Sequence, residues 1–290
     1  MGATAGGKRL VMVGIDGSED GLRALRYAVP EAARLQAVLR LVHVQQQMVV
    51  LAPMMPLVPD PTLHEVAADI LKQAEQHARE LGYEGPDLEV VLATGPRNAA
   101  LLENTKDASC AVLGRRTAPL QHLVGGSTTS ALAAHARVPV ISVPETWHPA
   151  PPRGVVAAGV DESEFSAGVL RAAWAAAESR GARLELVHAW RPLLEYDVAI
   201  GARVLAQEWT DATRTSLTTW VRDNAPDGAV EWTVQPRYET TTVALHEVSE
   251  TADLLVLGRH GHGHRTGLGL GSTVRTMLRA GSCPVMVIPS

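Results

Sequence analysis

Short apolar runs alternate with longer amphipathic stretches along the whole chain. In the first half, Leu10–Ile15, Val38–Val44, Leu88–Leu92, Ser109–Leu113 and Val138–Val143 read as strands. They are nearly continuous Val, Leu and Ile rather than strict in–out alternation, which is the pattern of strands covered on both faces. Between them, Leu22, Leu25, Val29 and Ala32 fall on one helical face, and Thr62 to Leu81 predicts a second helix. PMMPLVPDP (Pro53–Pro61) is too proline-rich for a helix or strand and predicts a long loop that could cover a site. In the second half Phe165, Val169, Ala172 and Ala176 form the matching helical face. Asp253–Leu257 and Pro284–Ile288 read as strands there, and Thr273–Arg279 as a helix. Strands alternating with helices predict βαβ units and a parallel sheet, an α/β fold.

The two halves are copies of each other. VMVGIDGSED (Val11–Asp20) returns as VVAAGVDESE (Val155–Glu164), placing Asp16 against Asp161 at an offset of 145. LVHV (Leu41–Val44) returns as LVHAW (Leu186–Trp190) at 145, AVLGRR (Ala111–Arg116) as LVLGRH (Leu255–His260) at 144, and GGST (Gly125–Thr128) as LGST (Leu270–Thr273) at 145. One register change over that distance marks a duplication, with a residue missing from the loop of the first copy. The three prolines of TWHPAPPRG (Thr146–Gly154) keep the join extended. The expected organisation is domain 1 over residues 1–146, a linker over 147–154 and domain 2 over 155–290.

Composition narrows the class without changing that picture. The 290 residues are 46% hydrophobic and 20% charged, ordinary for a folded chain, but only 4% aromatic, so the cores must be aliphatic. A net charge of −5 argues against a nucleic-acid partner, which wants a basic patch. Two cysteines, Cys110 and Cys283, make no disulfide framework and suit a reducing compartment. MGATAGGKRL has no apolar core of a signal peptide, and its position 6 is Gly6 where myristoylation wants Ser or Thr. No run reaches the ~18 apolar residues of a membrane span. The expectation is a cytoplasmic protein without a membrane partner.

The candidate chemistry lies after the fourth strand of copy two, in GRHGHGHRTGLGLGST. Gly258, Gly261 and Gly271, completed by Ser272, follow the pattern G-x2-G-x9-G-[ST]. Glycines permit positive φ and close backbone approach. The helix that opens after Gly271 offers free N–H groups and a positive dipole end to a phosphate. Ser272 would cap that helix or donate to a phosphate oxygen. A flexible connector would also be glycine-rich, so the weight rests on context: after a strand, before a helix, in a duplicated α/β unit.

On these residues the chain resembles the universal stress protein family in its tandem, two-domain form. The resemblance implies two doubly wound domains, each a five-stranded parallel sheet of order 3-2-1-4-5 flanked by helices. That order makes strands 1 and 4 neighbours at a topological switch point, where open α/β sheets bind ligands. It also implies ATP as the ligand, with Mg²⁺ as its candidate companion. Carried over residue by residue, the implied contacts in copy two are Gly159, Asp161, Ala189, Gly258, Arg259, Gly261, Gly271, Ser272 and Thr273. In copy one they are Gly14, Asp16, Val44, Gly114, Arg115, Gly126, Ser127 and Thr128. Copy one departs from the pattern, since Thr117 replaces the second glycine and the loop is one residue short; Arg115 and Arg116 would partly compensate. Domain 2 is therefore expected to carry the better site. The family's habit of pairing through strand 5 implies that the two copies pair with each other and that the chain forms a homodimer.

Other readings compete on stated features. His260, His262 and His264 alternate on the loop, but a zinc site wants fixed geometry and an acid or thiolate partner, which a glycine-rich loop does not supply. His43 and His188 take equivalent strand-2 positions and read as polar strand-end residues near the ligand or satisfied in the core. Asp16 and Asp161 could simply close turns. No Walker A lysine or general base is evident, so a nucleotide-dependent regulator is expected, with hydrolysis slow at best. An ATP pyrophosphatase would show an SGGxDS-like loop where this chain has IDGSED and VDESEF. A dinucleotide enzyme would show G-x-G-x-x-G after strand 1. A ligand-free interaction scaffold is the remaining alternative, stronger for copy one than for copy two.

Overall fold

The computed structural model describes residues 9–45, 61–84, 87–115, 128–161, 166–190, 202–261 and 269–289. The chain divides into two compact units, Met1–Pro149 and Ala150–Ser290. In the first, strands β1 (Leu10–Gly14), β2 (Val38–Gln45), β3 (Leu88–Thr94), β4 (Cys110–Arg115) and β5 (Val140–Pro144) alternate with helices α1 (Glu19–Leu35), α2 (Pro61–Glu80), α3 (Arg97–Glu103) and α4 (Thr128–His135). All strand pairs are parallel, and the order is β3-β2-β1-β4-β5. Helix α1 packs on β1 and β4 and α2 on β2 and β3, while α3 and α4 pack on each other and on the sheet's strands. The core is aliphatic, with Met12, Leu25, Leu39, Leu41, Leu132 and Ile141 fully buried.

The second unit repeats the plan. Its strands are β6 (Val155–Gly159), β7 (Arg183–Ala189), β8 (Trp232–Arg237), β9 (Leu254–Gly258) and β10 (Val285–Ile288). Its helices are α5 (Ser166–Arg180), α6 (Ala202–Asn224), α7 (Thr241–Thr251) and α8 (Ser272–Ala280). The order β8-β7-β6-β9-β10 is again parallel throughout. The face of α5 differs in detail from the periodicity reading: Ala173, Trp174 and Ala177 fill the core beside Val169 and Ala176, whereas Ala172 is half-buried.

Local chemistry explains the boundaries. Ser18 caps α1, its side chain accepting from the Gly21 N–H. Pro61, placed in the loop by the sequence reading, instead opens α2; at the first helical position its missing N–H has no intrahelical partner to lose. The rest of the proline-rich stretch lies outside the described residues. Within residues 147–154 the Trp147 ring meets Tyr27 of α1 edge-on at 5.4 Å. Arg153 N–H and Val155 N–H both donate to the Asp253 carboxylate, at 2.9 and 3.1 Å. The join is therefore anchored at each end rather than merely stiffened by proline. Cys110 and Cys283 are both buried and neither is in a disulfide, and burial pushes the Cys283 thiol up to about 12. No helix among the described residues is long and apolar enough to cross a membrane.

Candidate functional site

In each unit the chain leaves the first strand for one neighbour and returns on the other side, so the crevice between β1 and β4, and between β6 and β9, opens at the strands' carboxyl ends. Some of the residues singled out from the sequence lie at these strand ends. In the second unit Asp161 follows β6 two residues after Gly159, and Gly258 ends β9. The Asp161 carboxylate is fixed: its Oδ1 accepts from the Ser166 hydroxyl at 2.8 Å, while the Asp161 N–H donates to Ser166 Oγ at 2.9 Å. Its Oδ2 faces Gly261, where a Cβ would stand only 2.8 Å away. Ser166 belongs to the first turn of α5, so the helix holds the carboxylate against the loop. Repeat comparison misses Ser166, because Gly21 occupies its place in copy one.

The neck of the glycine-rich loop is stapled twice. Gly271 N–H donates to the Arg259 carbonyl at 3.1 Å, and His260 Nε2 donates to the Gly269 carbonyl at 2.5 Å. The residues brought together are Arg259, His260 and Gly261 on one side and Gly269, Leu270 and Gly271 on the other. Arg259 is half-buried, and burial pulls its guanidinium below the usual arginine range. The expected cap by Ser272 does not form: Gly271 occupies the cap position without a side-chain bond, and Ser272 is the exposed first residue of α8. Its hydroxyl is thereby left at the helix mouth with Thr273. Ala189 ends β7, and Trp190 beyond it packs on Trp209 and Tyr238 with ring centroids 5.5 and 4.8 Å apart. His262 and His264 lie outside the described residues, among which no group of three or more metal-ligating side chains clusters.

In the first unit a cavity of about 130 Å³ opens at the equivalent place. Gly14, Asp16, Val44, Gly114 and Thr128 line it, as do Asp20, Arg97, Leu101 and Thr129, which the sequence reading did not select. Asp16 is exposed and turned by an Asx bond, its Oδ1 accepting from the Ser18 N–H at 3.1 Å. Asp20 is paired with Arg23 at 2.6 Å. Arg115 ends β4 and is half-buried. Arg116, Thr117, Gly126 and Ser127 fall outside the described residues.

Several glycines have a different reason from the one inferred. Positive φ is absent at Gly258, Gly261 and Gly271. Gly114 is required because a Cβ would lie 2.0 Å from the Asp20 carbonyl oxygen, where α1 crosses the strand end. Gly14 and Gly159 face Leu113 and Leu257, at 2.4 and 2.7 Å from a hypothetical Cβ. These three glycines answer to packing. Gly261 alone among the described loop glycines answers to the carboxylate.

The two strand-2 histidines behave alike. His43 Nδ1 donates to the Ile15 carbonyl at 2.8 Å and His188 Nδ1 to the Val160 carbonyl at 3.0 Å, each on the residue before the aspartate.

Comparison with known proteins adds a family. The model of the universal stress protein family matches residues 8–144 and again 153–289. A universal stress protein of Mycobacterium tuberculosis is 29% identical over 300 residues, covering 96% of this chain and 94% of its own. The crystal structure of a universal stress protein from Archaeoglobus fulgidus superimposes with a TM-score of 0.68 at 18% identity, covering 97% and 96% of the two chains. A universal stress protein solved in complex with cAMP covers 47% of this chain and 97% of its own, at 24% identity and a TM-score of 0.39.

Proposed function

Because the chain belongs to the universal stress protein family, with two of its domains in tandem, we propose that it is a cytoplasmic, nucleotide-dependent regulator of the stress response that binds ATP. The second unit carries the better site. The observation behind this reading is the Asp161 carboxylate, held by Ser166 and set against Gly261 where β6 and β9 part. Asp161 would take the ribose hydroxyls, and the backbone at Gly159 and Ala189 would flank the base. Arg259, Gly261, Gly271, Ser272 and Thr273 would hold the phosphates, with the uncapped first turn of α8 supplying N–H donors and dipole. Mg²⁺ would neutralise part of the phosphate charge.

Gly14, Asp16, Val44, Gly114, Arg115, Gly126, Ser127 and Thr128 would form the weaker site. Its cavity is below the ~300 Å³ of an ordinary small-molecule pocket, so only part of a nucleotide would be enclosed. Binding rather than turnover is the expected role, with hydrolysis slow at best.

Nucleotide analysis of the freshly purified, denatured protein, followed by calorimetric titration with ATP and Mg²⁺, tests the reading. One or two adenine nucleotides per chain are expected. An extract free of nucleotide together with no heat on titration would overturn it.

A further inference from the structure

We propose that His43 and His188 read the base, each presenting a lone-pair acceptor that favours a purine carrying an exocyclic amine over one carrying a carbonyl at that place. The proposal rests on the nucleotide-binding reading and adds a selectivity to it.

The tautomer follows from the backbone. Each Nδ1 lies within hydrogen-bond distance of a main-chain carbonyl oxygen, of Ile15 at 2.8 Å and of Val160 at 3.0 Å. A carbonyl only accepts, so Nδ1 carries the proton and the neutral ring offers Nε2 as an acceptor. Among the described residues nothing bonds either Nε2, and both rings are half-exposed. The arrangement occurs in both copies, at the same spacing of 28 residues from its carbonyl.

The position suits a base. His43 lines the cavity of the first unit, whose apolar members are Ile15, Val42, Val44, Leu101 and Leu113 and whose charged members are Asp16, Asp20 and Arg97. A flat purine fits against apolar side chains with a few placed polar groups. Adenine presents a 6-amino donor, whereas guanine presents a 6-oxo acceptor there; hypoxanthine shares the oxo group. Opposite Nε2 the amine gains a hydrogen bond and the oxo oxygen faces a lone pair. The carbonyl contact alone would make each histidine a strut tying the strand end to the aspartate turn. A strut uses only Nδ1 and has no preference between bases.

The experiment compares ATP, inosine triphosphate and purine riboside triphosphate, which lacks the 6-substituent, on wild type, His43→Phe, His188→Phe and the double variant. Wild type should bind ATP about tenfold more tightly than inosine triphosphate, one hydrogen bond lost and an unfavourable contact added, with purine riboside triphosphate between them. In the double variant the ATP-to-inosine ratio should fall close to one. Nitrogen-15 NMR of the imidazoles gives a second readout in the unmutated protein: ATP should shift Nε2 of His43 or His188, and purine riboside triphosphate should not. Equal wild-type affinities, an unchanged ratio in the folded variants, or an unmoved Nε2 signal at saturating ATP would each overturn the assignment while leaving ATP binding intact. Failure of wild type to bind any of the three would instead remove the nucleotide reading itself.

Discussion

Gly261→Ala is the most informative single change at the second site. Its backbone φ lies outside the left-handed region, so alanine brings no backbone strain. What it brings is a Cβ 2.8 Å from Asp161 Oδ2, closer than real Cβ contacts allow. The carboxylate is the end of a short side chain and would swing away, breaking or bending the 2.8 Å bond it accepts from Ser166. If Asp161 binds the nucleotide, the loss is about one charged hydrogen bond, on the order of 1.5–3 kcal/mol. That is a roughly 10- to 100-fold weaker site at a tenfold change per 1.4 kcal/mol. Gly261 is exposed, so global stability should move by no more than about 0.5 kcal/mol. Gly114→Ala is the counter-case: its Cβ would sit 2.0 Å from the backbone oxygen of Asp20, and α1 itself would have to shift. That should destabilise the fold by about 1–3 kcal/mol. The assay is ATP titration by calorimetry beside urea unfolding of wild type and both variants. A folded Gly261→Ala protein with wild-type ATP affinity at both sites would refute the role given to the Asp161–Gly261 contact.

Two further expectations concern stability and assembly. Arg40 grips Asp107 through two bonds of 2.7 and 2.9 Å, and the hydrogen bond from Arg40 holds the Asp107 carboxyl below its ordinary value of 3.8. A depressed carboxylate contributes stability above its unfolded value and loses it as pH falls through the folded one. Asp107→Asn should therefore cost under about 1 kcal/mol at neutral pH, given that the carboxylate is largely exposed. The gap from wild type should close below pH 3.8; urea midpoints that differ equally at both pH values would contradict this. Light scattering should return twice the 30.9 kDa chain mass, for the homodimer inferred from family habit, and a monomer mass at every concentration would rule it out.

Much of the fold was legible in the chain because it is written in local patterns. Nearly continuous Val and Leu runs mark strands covered on both faces, the 3.6-residue spacing marks α1 and α5, and the 145-residue repeat marks two units. Boundaries were less legible: α2 took in Pro61, and Gly271 rather than Ser272 became the cap of α8, because caps depend on where the preceding chain arrives. At the site, the repeat singled out Asp16, Asp161 and the glycines, but not what each one does. Asp161 meets Gly261 across 100 residues of chain, Gly114 meets Asp20 across 94, and each histidine finds its carbonyl 28 residues back. Such contacts follow from strand order and register, which place residues distant in sequence on neighbouring strand ends. A local pattern carries the preference for a strand or a helix. Only the assembled sheet decides that one glycine makes room for a helix and another for a carboxylate.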